Sequence, residues 1–301
     1  MIKKGIGDDS TFKSMHPAVN LIFYTIVLAV TMFSMSPVFL AAAFVCSWGY
    51  SLLLGGVKQL RTNLLFMIPV IIFMVAINTF FTHNGMTVLC YINGMKITLE
   101  ALLYGVAAAV LLTAVIVWFS SFNIIMSSDK LIYVFGKAAP VLGLTLSMIF
   151  RFIPLLRERF REISMGQRAM GRPEEKKFIP KMRRAVKELS ILISWSLEAA
   201  IETSDSMEAR GYGLPGRTSF HLFKMSPSDK KILAAELILG GISIAGLIAG
   251  RTSIYYYPKI VLPEWDIITA VVFGAYLVLM LIPIVIDIAG EIKWQRLQSE
   301  I

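Results

Sequence analysis

Three features of this chain could do chemistry: acids in apolar surroundings, arginines at helical spacing, and two glycine-terminated helix ends. Glu198, Glu202 and Asp205 fall at i, i+4 and i+7, which places three carboxyls on one helix face. Arg151, Arg157 and Arg161 lie in the preceding helical stretch. Such a set can relay a proton or an ion, pair where two helices cross, or simply face the cytosol. A charge at the centre of a bilayer costs at least ~2.5–3.5 kcal/mol, so structural pairing of Arg151 and Arg157 with Glu198, Glu202 and Asp205 is the expected use. Glu236 is the acid well inside a clear apolar run, where it can snorkel to the interface or take part in transport. Other chemistries lack their residues. His16, His83 and His221 fall in separate loops, and no H-x-x-H, H-E-x-x-H or G-x-S-x-G is present. No G-x-x-x-x-G-K-[ST] loop is present either, because Gly136-Lys137 is followed by Ala138. The sequence therefore offers no catalytic set, no cofactor or metal site and no means of hydrolysing ATP. Cys46 and Cys90 show no metal spacing and imply no disulfide.

The helix ends belong to a long polar stretch, Ser147 to Gly213, in an otherwise apolar chain. Phe152, Leu156, Phe160, Ile163 and Met170 share one face of a 3.6-residue helix. Met182, Val186, Leu189, Ile193, Leu197, Ala200 and Met207 share another. The first helix ends Arg168-Ala169-Met170-Gly171, followed by Arg172-Pro173. The second ends Ala209-Arg210-Gly211. Glycine admits the left-handed turn that stops a helix, and a nearby proline prevents its continuation. Two long amphipathic helices with positive tips are expected, each finishing small-x-Gly. A cation at a helix C-terminus is ordinary, since it meets the negative end of the dipole. Two such levers in succession suggest docking into something acidic or rich in carbonyls.

The elements that must position these residues follow from composition. The chain has 301 residues, 56% of them hydrophobic, and a mean hydropathy of +0.69. It reads as an all-α polytopic membrane bundle in one membrane domain, residues 1–301. Apolar runs at about 18–34, 37–54, 64–81, 99–119, 232–249 and 267–286 are each near the ~20 residues needed to cross a bilayer. Gly55 to Arg61 reads as the turn between the second and third runs. The loop after the third, with Asn-Gly pairs around a β-prone run, reads as a short hairpin. Asp129 to Lys137 reads as a short interfacial helix. Ala138 to Phe150 is apolar but too short to span, so it reads as re-entrant or packed on the bundle. No separate soluble domain, internal repeat or removable signal is expected. Of the 29 basic residues, the loops on the side of the termini and of the polar stretch hold all but Lys96, Arg251 and Lys259. That asymmetry places both termini and the region of about 128–213 in the cytoplasm. It also accounts for the +9 net charge, so no nucleic-acid partner is expected.

With those residues in view, the chain resembles the transmembrane T component of energy-coupling-factor (ECF) importers, the EcfT/CbiQ-like family. EARGYG at 208–213 resembles the second Ala-Arg-Gly signature, and GQRAMGRP at 166–173 stands in the place of the first. HPAVNLIF at 16–23 resembles the family's opening before its first span. The first signature departs in one residue: Met170 stands where the family has Arg, with Arg168 and Arg172 beside it. The resemblance implies a multi-pass prokaryotic plasma-membrane scaffold for uptake of a vitamin or metal ion. Two ABC ATPases, which carry the ATP and Mg, would dock at Arg168, Ala169, Met170, Gly171, Ala209, Arg210 and Gly211. The membrane part would hold a separate substrate-binding S component, and the apolar faces at 152–163 and 182–200 would contact that component or the bundle. The alternative is a self-sufficient secondary transporter that uses the intramembrane acids for ion coupling.

Overall fold

The computed structural model describes residues 6, 10–82, 84–92, 95–138, 140–170, 178–214, 223–260 and 265–299. The chain divides into two compact units, one of Met1–Leu131 with Phe223–Ile301 and one of Ile132–Leu222.

The first unit is an apolar helical bundle. A short helix α1 (Thr11–Ser14) leads to α2 (Pro17–Phe33), α3 (Pro37–Phe81), a β1–β2 hairpin (Val88–Ile92, Met95–Thr98) and α4 (Leu99–Ile125). After the second unit the chain returns as α8 (Pro227–Ile248) and α9 (Ile267–Ser299). The helices α3, α4, α8 and α9 are each long and apolar enough to cross a membrane, and α2 is a shorter apolar helix. The chain is a multi-pass membrane protein, and closed helices are how such a chain satisfies its backbone in lipid. One boundary differs from the sequence reading. The expected turn at Gly55 to Arg61 is a single residue, Gly56 at φ 64° and ψ −167°, and helix resumes at once. Glycine adopts that conformation without a Cβ penalty, so one residue reverses the chain where a seven-residue loop was expected. The β hairpin is present as read, although Asn93-Gly94 at its turn lies outside the described residues.

Local sequence fixes the helix starts. His16 caps α2 through Nδ1, which accepts from the Ala18 N–H at 3.2 Å, with Pro17 in the first turn where its missing N–H is harmless. Ser226 and Asp229 close a reciprocal capping box on α8. Inside, Phe23, Tyr24, Phe39, Tyr50, Trp118 and Tyr276 are all buried and meet mostly edge to face.

The bundle's two ends are tied differently. At the end near the terminus, the buried Asp287 carboxylate accepts from the Ser10 hydroxyl at 2.8 Å, the Phe12 N–H at 2.8 Å and the Tyr50 hydroxyl at 3.2 Å. This holds the N-terminal segment against α9 and α3. The Asn20 amide, oriented to donate to the Phe12 carbonyl at 3.1 Å, accepts from Lys130 Nζ at 2.7 Å. Lys130 Nζ also donates to the Lys13 carbonyl. Burial pushes the Lys130 amine down to about 8, and the nearby Lys13 charge adds to the shift. At the opposite end, the Ser36 N–H donates to the Thr252 carbonyl at 3.0 Å and the Tyr256 hydroxyl to the Met35 carbonyl at 2.9 Å.

The second unit contains most of α5 (Ser128–Ala138), with α6 (Pro140–Ala169) and α7 (Phe178–Ala209). The short helix read at 129–137 is α5. The stretch from Ala138 to Phe150 is not a separate re-entrant piece, because all but its first two residues are the opening turns of α6. That helix runs unbroken through Pro154, so the change from apolar to charged sequence marks no boundary.

Candidate functional site: the two helix tips of the α6–α7 pair

The amphipathic helices form an antiparallel pair. Arg159 stacks over the Trp195 ring at 5.0 Å, and Arg184 Nη2 donates to Ser164 Oγ at 3.4 Å. As α6 advances from 159 to 164, its contacts on α7 fall back from 195 to 184, which fixes the opposite directions. Ala169 and Ala209 therefore end the pair at its two far ends. At 1.5 Å per residue from these contacts, the tips stand about 40 Å apart along the pair.

Up to the last helical bond the two tips match. The Met170 N–H donates to the Gly166 carbonyl at 3.1 Å, and the Arg210 N–H donates to the Ser206 carbonyl at 3.2 Å. Met170 and Arg210 thus occupy equivalent positions just beyond their helices. At the second tip the Gly211 N–H donates to Glu208 O at 2.9 Å and the Tyr212 N–H to Met207 O at 3.0 Å. Those crossed bonds, with Gly211 at φ 79°, make a Schellman end. The last carbonyls of α7 are used internally, so the exposed Arg210 guanidinium projects from a rigid stop. Gly171, Arg172 and Pro173 lie outside the described residues. Arg168, Ala169 and Met170 are exposed, Met170 at 67%. One tip therefore offers a thioether at the position where the other offers a guanidinium.

The apolar stripe of α7 is not covered. Met182, Val186, Leu189, Ile193 and Leu197 are all exposed, and Glu188 is the buried residue of this helix. Arg184 Nε pairs with Glu188 at 2.8 Å, and Arg159 pairs with Glu162 at 2.6 Å. Glu198, Glu202 and Asp205 are exposed, as are Arg151, Arg157 and Arg161. The pairing expected between those acids and arginines is not among the ion pairs that the described residues form. Sequence spacing identified the acid face but not the level at which α6 meets it. Arg184 and Trp195, which do meet α6, carried no signal in the α7 face pattern.

Glu236, in α8, does not snorkel. It is wholly buried, and neither carboxyl oxygen has a hydrogen-bond partner among the described residues. Among those residues no cluster of His, Cys, Asp or Glu is grouped to hold a metal ion. His83 and His221 lie outside the described residues.

The family model described as cobalt transport protein (CbiQ) matches residues 9–222, which take in both helix tips. The chain belongs to this family. Curated relatives within it carry the name energy-coupling factor transporter transmembrane protein EcfT. The Streptococcus thermophilus protein is 28% identical over 260 residues, covering 80% of this chain and 96% of its own length. The Streptococcus equi protein is 28% identical over 212 residues, covering 64% of this chain and 77% of its own. The Lactococcus lactis protein is 29% identical over 187 residues, covering 58% and 69%. CbiQ-family membership agrees with the apolar bundle and the opening at His16 to Phe23. In this family member that opening is a working part of the fold: His16 caps α2, and Asn20 links Phe12 to Lys130.

Proposed function

We propose that this chain is the scaffold and coupling subunit of an ECF-type importer. In this reading two cytosolic ABC ATPases dock at the tips of α6 and α7, and the termini face the cytoplasm. A separate membrane S component binds vitamin or metal ion. ATP is hydrolysed in the partner ATPases, whose motions tilt the α6–α7 pair and reorient the S component. The observation that carries this reading is the antiparallel pair itself. It presents two helix ends about 40 Å apart, with Met170 and Arg210 at equivalent positions, a span that suits two separate docking partners on one rigid lever. The uncovered apolar stripe of α7 supplies a surface for a third. The basic-residue asymmetry supports the cytoplasmic placement.

The test is site-directed cross-linking from native membranes. Cys90 is exposed and Cys46 buried, so a Cys90→Ser background leaves little reactive thiol. Met170→Cys and Arg210→Cys are each expected to cross-link to an ATPase chain, and Leu197→Cys to a membrane protein that is not an ATPase. Cross-links from neither tip would overturn the reading. A second reading, a secondary transporter working alone, is favoured by one observation: the buried carboxyl of Glu236 has no hydrogen-bond partner among the described residues. It requires ion-coupled flux by the purified chain, lost in Glu236→Gln.

A further inference from the structure

The turn formed by Ser10 to Lys13 presents its two ends to groups of opposite charge. At its start the Ser10 hydroxyl donates to both oxygens of Asp287, at 2.8 and 2.9 Å, and the Phe12 N–H donates to the same carboxylate at 2.8 Å. At its finish the Lys13 carbonyl accepts from Lys130 Nζ, and the Phe12 carbonyl accepts from the Asn20 amide at 3.1 Å. Donors face one way and carbonyls the other, as the two ends of a helical turn dictate. A single turn therefore stands between an acid of α9 and a lysine of α5.

The seat of this turn is tight. Phe12 is wholly buried and meets Phe23 edge to face at 5.4 Å. Gly290 lies on the same face of α9 as Asp287, at i+3, and a Cβ there would collide with the Thr11 side chain. The collision includes Thr11 Cβ, at 2.9 Å, which no side-chain rotation can move away. The last helix thus receives α1 through an acid that binds it and a glycine that makes room for it.

The consequence lies at the other end. Lys130 is 4% exposed, and its acceptors among the described residues are the Lys13 carbonyl and the Asn20 amide oxygen, both neutral. Both depend on the turn. The first belongs to it, and the second is aimed by the bond that Asn20 gives to Phe12. A buried ammonium stripped of its acceptors is costly, so Lys130 keeps its place only while the turn keeps its own. Lys130 also stands where α5 begins. Its N–H and that of Leu131 donate to the Ser127 carbonyl at 3.1 and 3.2 Å, and the first unit ends at Leu131.

We propose that Ser10 to Lys13 form a strap that holds the root of α5 to the last helix, so that unseating the turn at Asp287 or Gly290 releases Lys130. Asp287 is then a positioning residue for α5, although among the described residues its carboxylate bonds only to Ser10, Phe12 and Tyr50. The strap lies within the first unit and does not rest on the coupling role. Its links run in series, from α9 through α1 to α5. A series has a signature: breaking both links does no more than breaking one.

The experiment follows hydrogen exchange of the full chain in detergent, read by mass spectrometry on peptides that cover Ser127 to Leu131. Lys130→Met is expected to speed exchange there about tenfold. Asp287→Ala should do so by a similar factor. Gly290→Ala should as well, although it keeps every donor and acceptor and acts only by displacing Thr11. The double variant Asp287→Ala with Lys130→Met should exchange no faster than either single one. Tyr276→Phe is the control. It removes the 2.7 Å bond between the Tyr276 and Thr31 hydroxyls, which also ties α9 to α2 but lies outside the strap, and should leave exchange at 127–131 within about twofold of wild type. If Asp287→Ala does not fold, Ser10→Ala replaces it, with an expected rise of about threefold. Unchanged exchange at 127–131 in any of the strap variants overturns the proposal. So does an equal rise in Tyr276→Phe, which would mark general loosening of the bundle, or a double variant whose rise is the product of the two singles.

Discussion

The bundle and the α6–α7 pair come from one chain but are built on different terms. The bundle buries Trp118, Tyr24, Tyr50, Phe12, Phe23 and Phe39 almost completely and binds one of its buried acids, Asp287, with three donors. In the pair the buried side chain of the 32-residue α7 is a glutamate, and the apolar stripe faces outward. Hydrophobic periodicity is clear in the pair, where both helices are amphipathic, and weak in the long bundle helices, which are apolar on most faces. Periodicity therefore says that a helix has an apolar face and not what that face meets. In the bundle the apolar surface is divided between the same chain, at residues such as Trp118, and the surroundings, at residues such as Phe66 and Phe73, 68% and 66% exposed. In the pair it is left for something else, which is what a coupling element needs and a self-contained domain avoids.

Substitutions should separate the two regions by size of effect. The largest belongs to the bundle. Trp118→Ala removes a fully buried ring and should cost about 3–5 kcal/mol, read as a lower denaturation midpoint of the purified chain in detergent. Asp287→Ala leaves the Ser10 and Tyr50 hydroxyls and the Phe12 N–H without their acceptor. It should cost about 2–3 kcal/mol, with the first cleavage in limited proteolysis moving into the N-terminal segment. Gly211→Ala places a Cβ at φ 79°, and about 1 kcal/mol of strain should loosen the end of α7 without lowering the bundle's midpoint. The smallest effect tests the contrast most sharply. Leu197→Ala should change the stability of the isolated chain by less than about 0.5 kcal/mol, because the side chain is already 62% exposed. A large loss there would mean that the α7 stripe is an internal core after all.

A pH series probes the root of α5. The folded state holds Lys130 at about 8, below its usual 10.5, so between those values the unfolded chain binds more protons than the folded one. The contribution of this residue to stability therefore rises as pH climbs from about 8 to 10.5. The difference in melting temperature between wild type and Lys130→Met should move in favour of wild type over that window. A difference independent of pH would remove the buried-amine assignment.

Much of the bundle was legible because lipid allows few solutions: apolar runs of the right length become helices. The junctions were harder. A single left-handed residue, Gly56, does the work for which a loop from Gly55 to Arg61 was expected, since the polar residues Lys58 to Asn63 are helical. The beginning of α6 looked like a separate piece because hydropathy changes along the helix while the backbone does not. At the tips, the pattern small-x-Gly identified both helix ends, and Gly211 confirms the reason at the second. The Asp287 clasp was missed, since Ser10 and Asp287 are 277 residues apart and neither spacing nor periodicity joins them. An acid at the edge of the last apolar run was the available signal, because such an acid needs a partner.

The most direct test of the coupling account is the amount of ABC ATPase that comes out of native membranes with this chain in mild detergent. Wild type, Arg210→Glu and Leu197→Ala would be compared at equal chain recovery. The account predicts abundant ATPase with wild type and with Leu197→Ala, and a loss of about tenfold or more with Arg210→Glu, where a docking cation becomes an anion. ATPase recovered equally with Arg210→Glu, or absent from wild type, would contradict it.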